Sequence, residues 1–186
     1  MRALRTLLAI VFVLAVPPQA SAETVTLDAA RRAALADLPV LRGEGLSAAA
    51  LEGRVVVLAF FASWCPPCHP EFDNLNEAQR TFRRNGVEIL AVNIFETIGR
   101  FKDDPGRLGR FLKQKAPTFH VLGNGEAVAD VFGSVDRIPT VFIFGPDGRP
   151  TLHFIHARGA RKTHVSFKEL AAGIRAAIGR SSSLGG

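Results

Sequence analysis

Residues 55–68 read Val55-Val56-Val57-Leu58-Ala59-Phe60-Phe61-Ala62-Ser63-Trp64-Cys65-Pro66-Pro67-Cys68. Seven apolar residues in a row, β-branched and then aromatic, suit a central strand buried on both faces. After Ala62-Ser63 come two cysteines separated by two prolines. Proline is tolerated in the first turn of a helix, where the N–H it lacks would have no intrahelical partner. Asn85-Gly86 is a good helix stop, so the spacing predicts a helix over 66–85 with Cys65 at its N-terminus. A second apolar run over 87–95 (VEILAVNIF) completes a strand–helix–strand unit, and such crossovers build parallel sheets.

Working outward, 28–37 (DAARRAALAD) reads as a helix behind Asp28, ended by Leu38-Pro39, and 47–53 as one helical turn from Ser47 to Gly53. Asp104-Pro105 caps a helix to about residue 115, 118–122 is a short strand, and 126–132 is a short helix closed by Gly133. Ile138-Pro139 leads into a strand over 140–144, the turn Gly145-Pro146-Asp147-Gly148 and a strand over 151–156, which together make an antiparallel hairpin. A last helix over 166–178 places Phe167, Leu170, Ile174 and Ile178 on one face, and 181–186 is a polar tail. The fold class expected is α/β, a central mixed sheet flanked by helices.

The chain has 186 residues, 47% of them hydrophobic, which is one domain's worth of core at about 100–200 residues per domain and too apolar for disorder. Its 2 cysteines exclude a disulfide-stapled scaffold and a four-cysteine zinc site. Residues 1–22 carry Arg2 and Arg5, an apolar run from Leu7 to Val16, Pro17-Pro18 and Ala20-Ser21-Ala22. That is the layout of an export signal, and the run is about half of the roughly 20 residues a bilayer span needs. Cleavage after Ala22 is expected, with a retained anchor as the alternative. The domain then covers 23–180, and its formal charge falls from +6 to +4 as the two arginines leave. No Lys/Arg run exceeds two residues, so a nucleic-acid partner is not expected; nor is a cofactor, and the domain is expected to be a monomer.

The chemistry points to Cys65 and Cys68. At a helix N-terminus the unpaired N–H groups favour a thiolate, by about 0.3–1 kcal/mol, less than one unit of thiol pKa. Helical spacing brings Cys68 beneath Cys65, within reach of a disulfide at an exposed helix tip, where Cys65 would attack and Cys68 would resolve the mixed disulfide. A loop of two residues constrains the unfolded chain very little, which argues against a structural bridge. Two other readings stay open on the residues alone. Zinc or copper could bind Cys65, Cys68 and His69, with His153, His156 and His164 as further ligands. Cys65-Pro66-Pro67-Cys68-His69 also spells the haem-attachment pattern, although Met1, the single methionine, leaves with the signal and cannot be an axial ligand. Glu71 lies one helical turn beyond Cys68, where a partly buried carboxylate would have a raised pKa and could take the Cys68 proton.

Three motifs together resemble the thioredoxin superfamily over residues 38–178: the strand 55–61 running into Trp64-Cys65-Pro66-Pro67-Cys68, Ile138-Pro139-Thr140, and the Gly145–Gly148 hairpin turn. Residues 53–64 and Cys68-His69-Pro70-Glu71 are similar to the exported TlpA/ResA-type reductases, which include cytochrome c maturation thioredoxin-like proteins. So is an insert of about 25 residues after the first strand–helix–strand unit. The resemblance implies a thioredoxin-like fold with an N-terminal extension and catalytic roles for Cys65, Cys68, Glu71 and Pro139. Pro139 would be a cis proline facing the disulfide, and Trp64, Pro66, Pro67 and Ile138 would meet the client chain. It also implies protein disulfide clients, among them apocytochrome c or copper-site proteins, a membrane thiol donor, and a periplasmic location. Thioredoxin has an acid six residues before the first cysteine, where this chain has Ala59, which throws the proton onto Glu71; Phe72-Asp73 stands where the family has a proline. Oxidants of the superfamily place a histidine between the cysteines. Pro66-Pro67 withholds that support from the thiolate, so a reductant is expected, with an oxidant or isomerase as the alternative.

Overall fold

Val55–Phe61 forms the central strand, with all seven of its side chains buried. The computed structural model describes residues 24–183; the signal expected over 1–22 and the tail end 184–186 lie outside the described residues. In chain order the elements are α1 (Ala29–Ala36), β1 (Val40–Arg42), β2 (Val55–Phe61), α2 (Cys68–Phe82), β3 (Val87–Asn93), α3 (Arg107–Lys115), β4 (His120–Leu122), α4 (Glu126–Val131), β5 (Thr140–Phe144), β6 (Pro150–Ile155) and α5 (Phe167–Ser183). The strands form one mixed sheet in the order β1-β4-β3-β2-β5-β6. β2 pairs parallel with β3 from Val55↔Val87 to Phe61↔Asn93, and antiparallel with β5, Phe60 opposite Thr140. β6 runs antiparallel to β5.

This order decides where chemistry can sit. β2, β3 and β6 end on the same edge of the sheet, and β5 begins there. Successive strand residues point to opposite faces, so Phe60 and Phe61 anchor two different layers. Phe61 packs on Phe72 of α2 and Phe111 of α3, with ring centroids 4.5 and 5.6 Å apart. Phe60 meets Phe132, just after α4, at 5.8 Å. α5 lies beside α2 and packs on β5 so closely that a Cβ on Gly173 would come within 2.7 Å of Ile143 Cδ1. Among the described residues no helix is long and apolar enough to cross a membrane.

Most predicted elements form, with shifted ends. α2 starts at Cys68 and not at 66: two prolines cannot donate, so the first N–H after Cys65 that can close a turn is that of Cys68, 3.0 Å from the Cys65 carbonyl. The helix gives way to a 3-10 turn at Arg83–Asn85, and Gly86, at φ +66°, stops it as expected. β3 stops at Asn93, because Phe95 turns to φ +59°. α5 continues to Ser183, through the first three residues of the expected tail. β1 carries no recognisable pattern, since all three of its residues are exposed on an edge strand.

Gly125 opens α4 directly against β3. Its φ of −86° suits any residue, but a Cβ there would lie 2.1 Å from Val92 Cγ1 and 3.1 Å from the Asn93 carbonyl. Gly125→Ala is expected to destabilise the fold by about 2 kcal/mol through overpacking, read as a lower urea midpoint at unchanged slope.

Candidate active site

Cys65 and Cys68 are joined in a disulfide, with their Cα atoms 5.3 Å apart. The bridge is not at an exposed tip, as the helix-start reading expected: Cys65 is 3% exposed and Cys68 fully buried. Neighbouring loops cover it. The Ile138–Pro139 peptide is cis, and the Ile138 carbonyl oxygen lies 3.7 Å from Cys65 Sγ. The same oxygen is 3.1 Å from His156 Nδ1. A carbonyl can only accept, so this contact requires the proton on Nδ1. The turn is held from both sides: His156 N–H donates to the Pro139 carbonyl at 3.1 Å, and Thr140 Oγ1 donates to the Arg137 carbonyl at 2.8 Å.

Above the disulfide is a groove of about 930 Å³ lined by Trp64, Cys65, Pro66, Pro67 and Ile138 among others. Of the site residues expected from the sequence, Trp64, Cys65, Pro66, Pro67 and Ile138 line this groove, while Cys68, Glu71 and Pro139 are buried and do not. Trp64 is fixed twice: its Nε1–H donates to the Phe95 carbonyl at 2.7 Å, and its ring stacks on Phe101 at 4.6 Å and 4°. A polar cluster, buried at Ser63 and Asn93 and half-buried at Glu96 and Arg107, stands behind it. The Glu96 carboxylate accepts from Ser63 N–H and Asn93 Nδ2, each at 2.9 Å, and from the Ser63 hydroxyl. Arg107 bonds Ser63 Oγ at 3.1 Å, the Glu96 carbonyl at 2.9 Å and the Phe101 carbonyl at 2.7 Å. Sequence reasoning missed Glu96 and Arg107, for an acid after a strand and a base in an insert helix form no local pattern.

Glu71 is 1% exposed. Its Oε2 accepts from Val165 N–H at 2.7 Å, and its Oε1 has no partner among the described residues. Burial pushes its pKa up to about 8, against the smaller opposing pulls of the Val165 N–H and the Lys162 charge. Val165 is presented by the start of α5, where Ser166 and Glu169 exchange capping bonds: Ser166 N–H to Glu169 Oε2 at 3.0 Å and Glu169 N–H to Ser166 Oγ at 3.4 Å. The histidines weighed as metal ligands are dispersed. His69 meets Phe111 edge-on at 5.0 Å, His153 stacks on Phe142 at 4.1 Å, and His156 bonds the cis-proline turn. Among the described residues no group of three His, Cys, Asp or Glu could hold a metal ion.

Comparison with known proteins agrees with this geometry. The model of the AhpC/TSA family matches residues 29–149. The thiol-disulfide oxidoreductase ResA of Bacillus subtilis is 32% identical over 108 residues, covering 58% of this chain and 56% of its own. The thiol:disulfide interchange protein CycY of Rhizobium leguminosarum bv. viciae is 32% identical over 146 residues, covering 76% of this chain and 64% of its own. The chain thus spans less than two thirds of the length of either relative. A secreted Mycobacterium tuberculosis disulfide oxidoreductase homologous to E. coli DsbE superposes with a TM-score of 0.60 at 19% identity, covering 77% of this chain and 97% of that one, which shows the thioredoxin-like fold.

The raised Glu71 pKa carries a stability signature. Below pH 4.5 the folded and unfolded chains both hold this proton. Between 4.5 and about 8 only the folded chain holds it, so stability falls as pH rises, by up to about 5 kcal/mol across the window. Urea unfolding of the oxidised protein at pH 5, 6.5 and 8 is expected to show this decline, and Glu71→Gln, which stays neutral, is expected to flatten it.

Proposed function

The chain belongs to the AhpC/TSA family, and from that premise we propose that it is an exported thiol:disulfide oxidoreductase that works as a reductase of protein disulfides. The observation that carries the reading is the Cys65–Cys68 disulfide, with the Ile138 carbonyl of the cis Ile138–Pro139 turn at 3.7 Å from Cys65 Sγ and a buried carboxyl at Glu71, three residues beyond Cys68 on α2. The names of the relatives support the reaction class, and the two-residue loop closed by the bridge, with Cys65 lining an open groove, supports exchange over a merely structural bridge.

In the reduced protein, the Cys65 thiolate attacks one sulfur of a client disulfide and expels the other as a thiolate, which leaves a Cys65–client disulfide. Cys68 then loses its proton and attacks Cys65 Sγ. The second client thiolate departs, Cys65 and Cys68 are joined, and two electrons have passed to the client. Glu71 is the proton acceptor for Cys68, one helical turn away on α2. At a pKa of about 8, ionising Glu71 at pH 7 costs about 1.4 kcal/mol, and the carboxylate so formed takes the proton of an ordinary thiol, pKa about 8.5, at less than about 1 kcal/mol more. A carboxylate at 4.5 would be roughly 5 kcal/mol too weak a base for the same transfer. Burial is therefore what makes Glu71 useful. Pro139 shapes the turn that receives the client backbone, Ile138 offers it main-chain groups, and Trp64, Pro66 and Pro67 form the contact surface.

Pro66-Pro67 supplies no donor to a Cys65 thiolate, which favours the disulfide form and hence reduction of the client. Export would be directed by residues 1–22, as a cleaved signal or a retained anchor ahead of the domain over 23–180. A reductant in an oxidising compartment draws electrons from a membrane thiol donor, and its clients would be disulfides of apocytochrome c or copper-site proteins.

Equilibration with glutathione or a dithiol is expected to give a potential near that of thioredoxin, about −270 mV; a value near −120 mV would reverse the direction of electron flow by about 7 kcal/mol. In stopped reactions with a reducible protein disulfide, Cys68→Ser is expected to accumulate a Cys65-linked mixed disulfide. Glu71→Gln is expected to slow the resolving step by roughly 100-fold while sparing the first attack.

A further inference from the structure

Along the sheet edge that holds the disulfide, the groove changes character once. The strand order β3-β2-β5-β6 lines up four segments there: the loop after β3, the loop after β2, the turn before β5 and the residues after β6. The first two supply Phe95, Ile98, Trp64 and the two prolines to the groove lining. Ile98 is 47% exposed, a large aliphatic side chain left open at the wall of a groove. The last two segments supply Asp136, Arg137, His156 and Arg158. Asp136 is engaged by Arg137, Oδ1 to Nε at 3.7 Å, so those two charges largely offset each other. Arg158 is exposed and has no carboxylate partner among the described residues. Cys65 lies between an apolar wall and an uncompensated cation.

Resting on the exchange reaction above, we propose that this groove selects polypeptide disulfides in which the attacked cysteine is flanked by a large apolar residue on one side and an acidic residue on the other. The apolar residue covers Ile98 and the Trp64 and Phe95 rings, which lie on the β3 side of Cys65. The acid faces Arg158 on the β6 side. An extended chain crossing the edge with its cysteine over Cys65 meets both walls at once, because neighbouring strands are only about 4.8 Å apart and successive residues of an extended chain about 3.4 Å. A small anion would reach Arg158 alone and gain nothing from the apolar wall. A basic client would meet Arg158 as a like charge, which disfavours wrong partners as effectively as attraction favours right ones.

The test uses the full-length reduced protein and symmetric disulfides of short peptides with a single cysteine. The flanks are Phe/Asp, Phe/Lys, Ser/Asp and Ser/Lys, each in both chain orders. Release of peptide thiol is timed by chromatography, and each rate is divided by that of the same peptide with a small monothiol, which removes the effect of flanking charge on the sulfur itself. In the better chain order, Asp is expected to exceed Lys about fivefold and Phe to exceed Ser about tenfold. Salt of about 1 M is expected to erase the first preference and keep the second. Arg158→Glu is expected to invert the order of Asp and Lys peptides. That readout is a ratio within one preparation and does not depend on how much variant folds. Hydroxyethyl disulfide, small and uncharged, separates the two claims. If the protein reduces neither it nor any peptide, the oxidoreductase reading itself fails. If all substrates are reduced with flank effects below twofold, or Arg158→Glu keeps the parent order, the exchange reading stands and the proposed selectivity is overturned.

Discussion

Cys65 Sγ and the Ile138 carbonyl meet at 3.7 Å although 73 residues separate them in the chain. Everything the site does depends on that meeting, and a sheet register produces it. β2 and β5 are antiparallel neighbours with Phe60 opposite Thr140, so the chain leaving β2 and the chain entering β5 emerge side by side. The register is pinned by burial: Phe60 is locked between Phe132 and Phe142, and a slip of one residue would turn it to the opposite face of the sheet. The cysteine reaches its partner turn because the aromatic core admits no other alignment.

The same core explains Glu71. A carboxyl group with one oxygen on Val165 N–H and the other unpartnered is costly to bury as an anion, and its pKa rises to about 8 in consequence. Its acceptor bond crosses 94 residues, from the first turn of α2 to the start of α5. α5 in turn packs on β5, the strand that begins at the cis-proline turn. The buried Glu71 carboxyl and the cis-proline turn are therefore both referenced to one helix–sheet contact.

How much of this was legible in the sequence depended on the range of the interactions. Features set by neighbours in the chain could be read: the doubly buried strand, the Gly86 and Gly133 stops, the hairpin turn and the turn-to-turn spacing of Cys68 and Glu71. The cis-proline reading came from resemblance and is met by the Ile138–Pro139 peptide. What could not be read was set across the fold. The start of α2 is the exception, displaced for a local reason, because Pro66 and Pro67 offer no N–H to close an earlier turn. Cys65 is buried against the Ile138 carbonyl, a contact across the fold that no local pattern announces. β1 is an exposed edge strand whose only signal is its partner β4. His156, read as a further metal ligand, is instead a donor to the Ile138 carbonyl that lies beside Cys65 Sγ.

The insert after β3 follows the same logic. Trp64 has an indole N–H to satisfy and a broad ring face to cover. The insert supplies the Phe95 carbonyl for that N–H, the Phe101 ring for its face, and Arg107, whose guanidinium also lies over Phe101 at 4.9 Å. Glu96 ties this assembly back to Ser63, one residue before the tryptophan. A half-buried carboxylate would still be costly if left unsatisfied, yet here it receives two N–H groups, a hydroxyl and a guanidinium, so the cluster braces the loop rather than weakening it. An immobile Trp64 costs less entropy to contact than a swinging one, and that lowers the cost of binding for any chain laid against it. The insert thus converts an exposed aromatic into a wall, and a wall on one side of Cys65 is what gives the groove a direction.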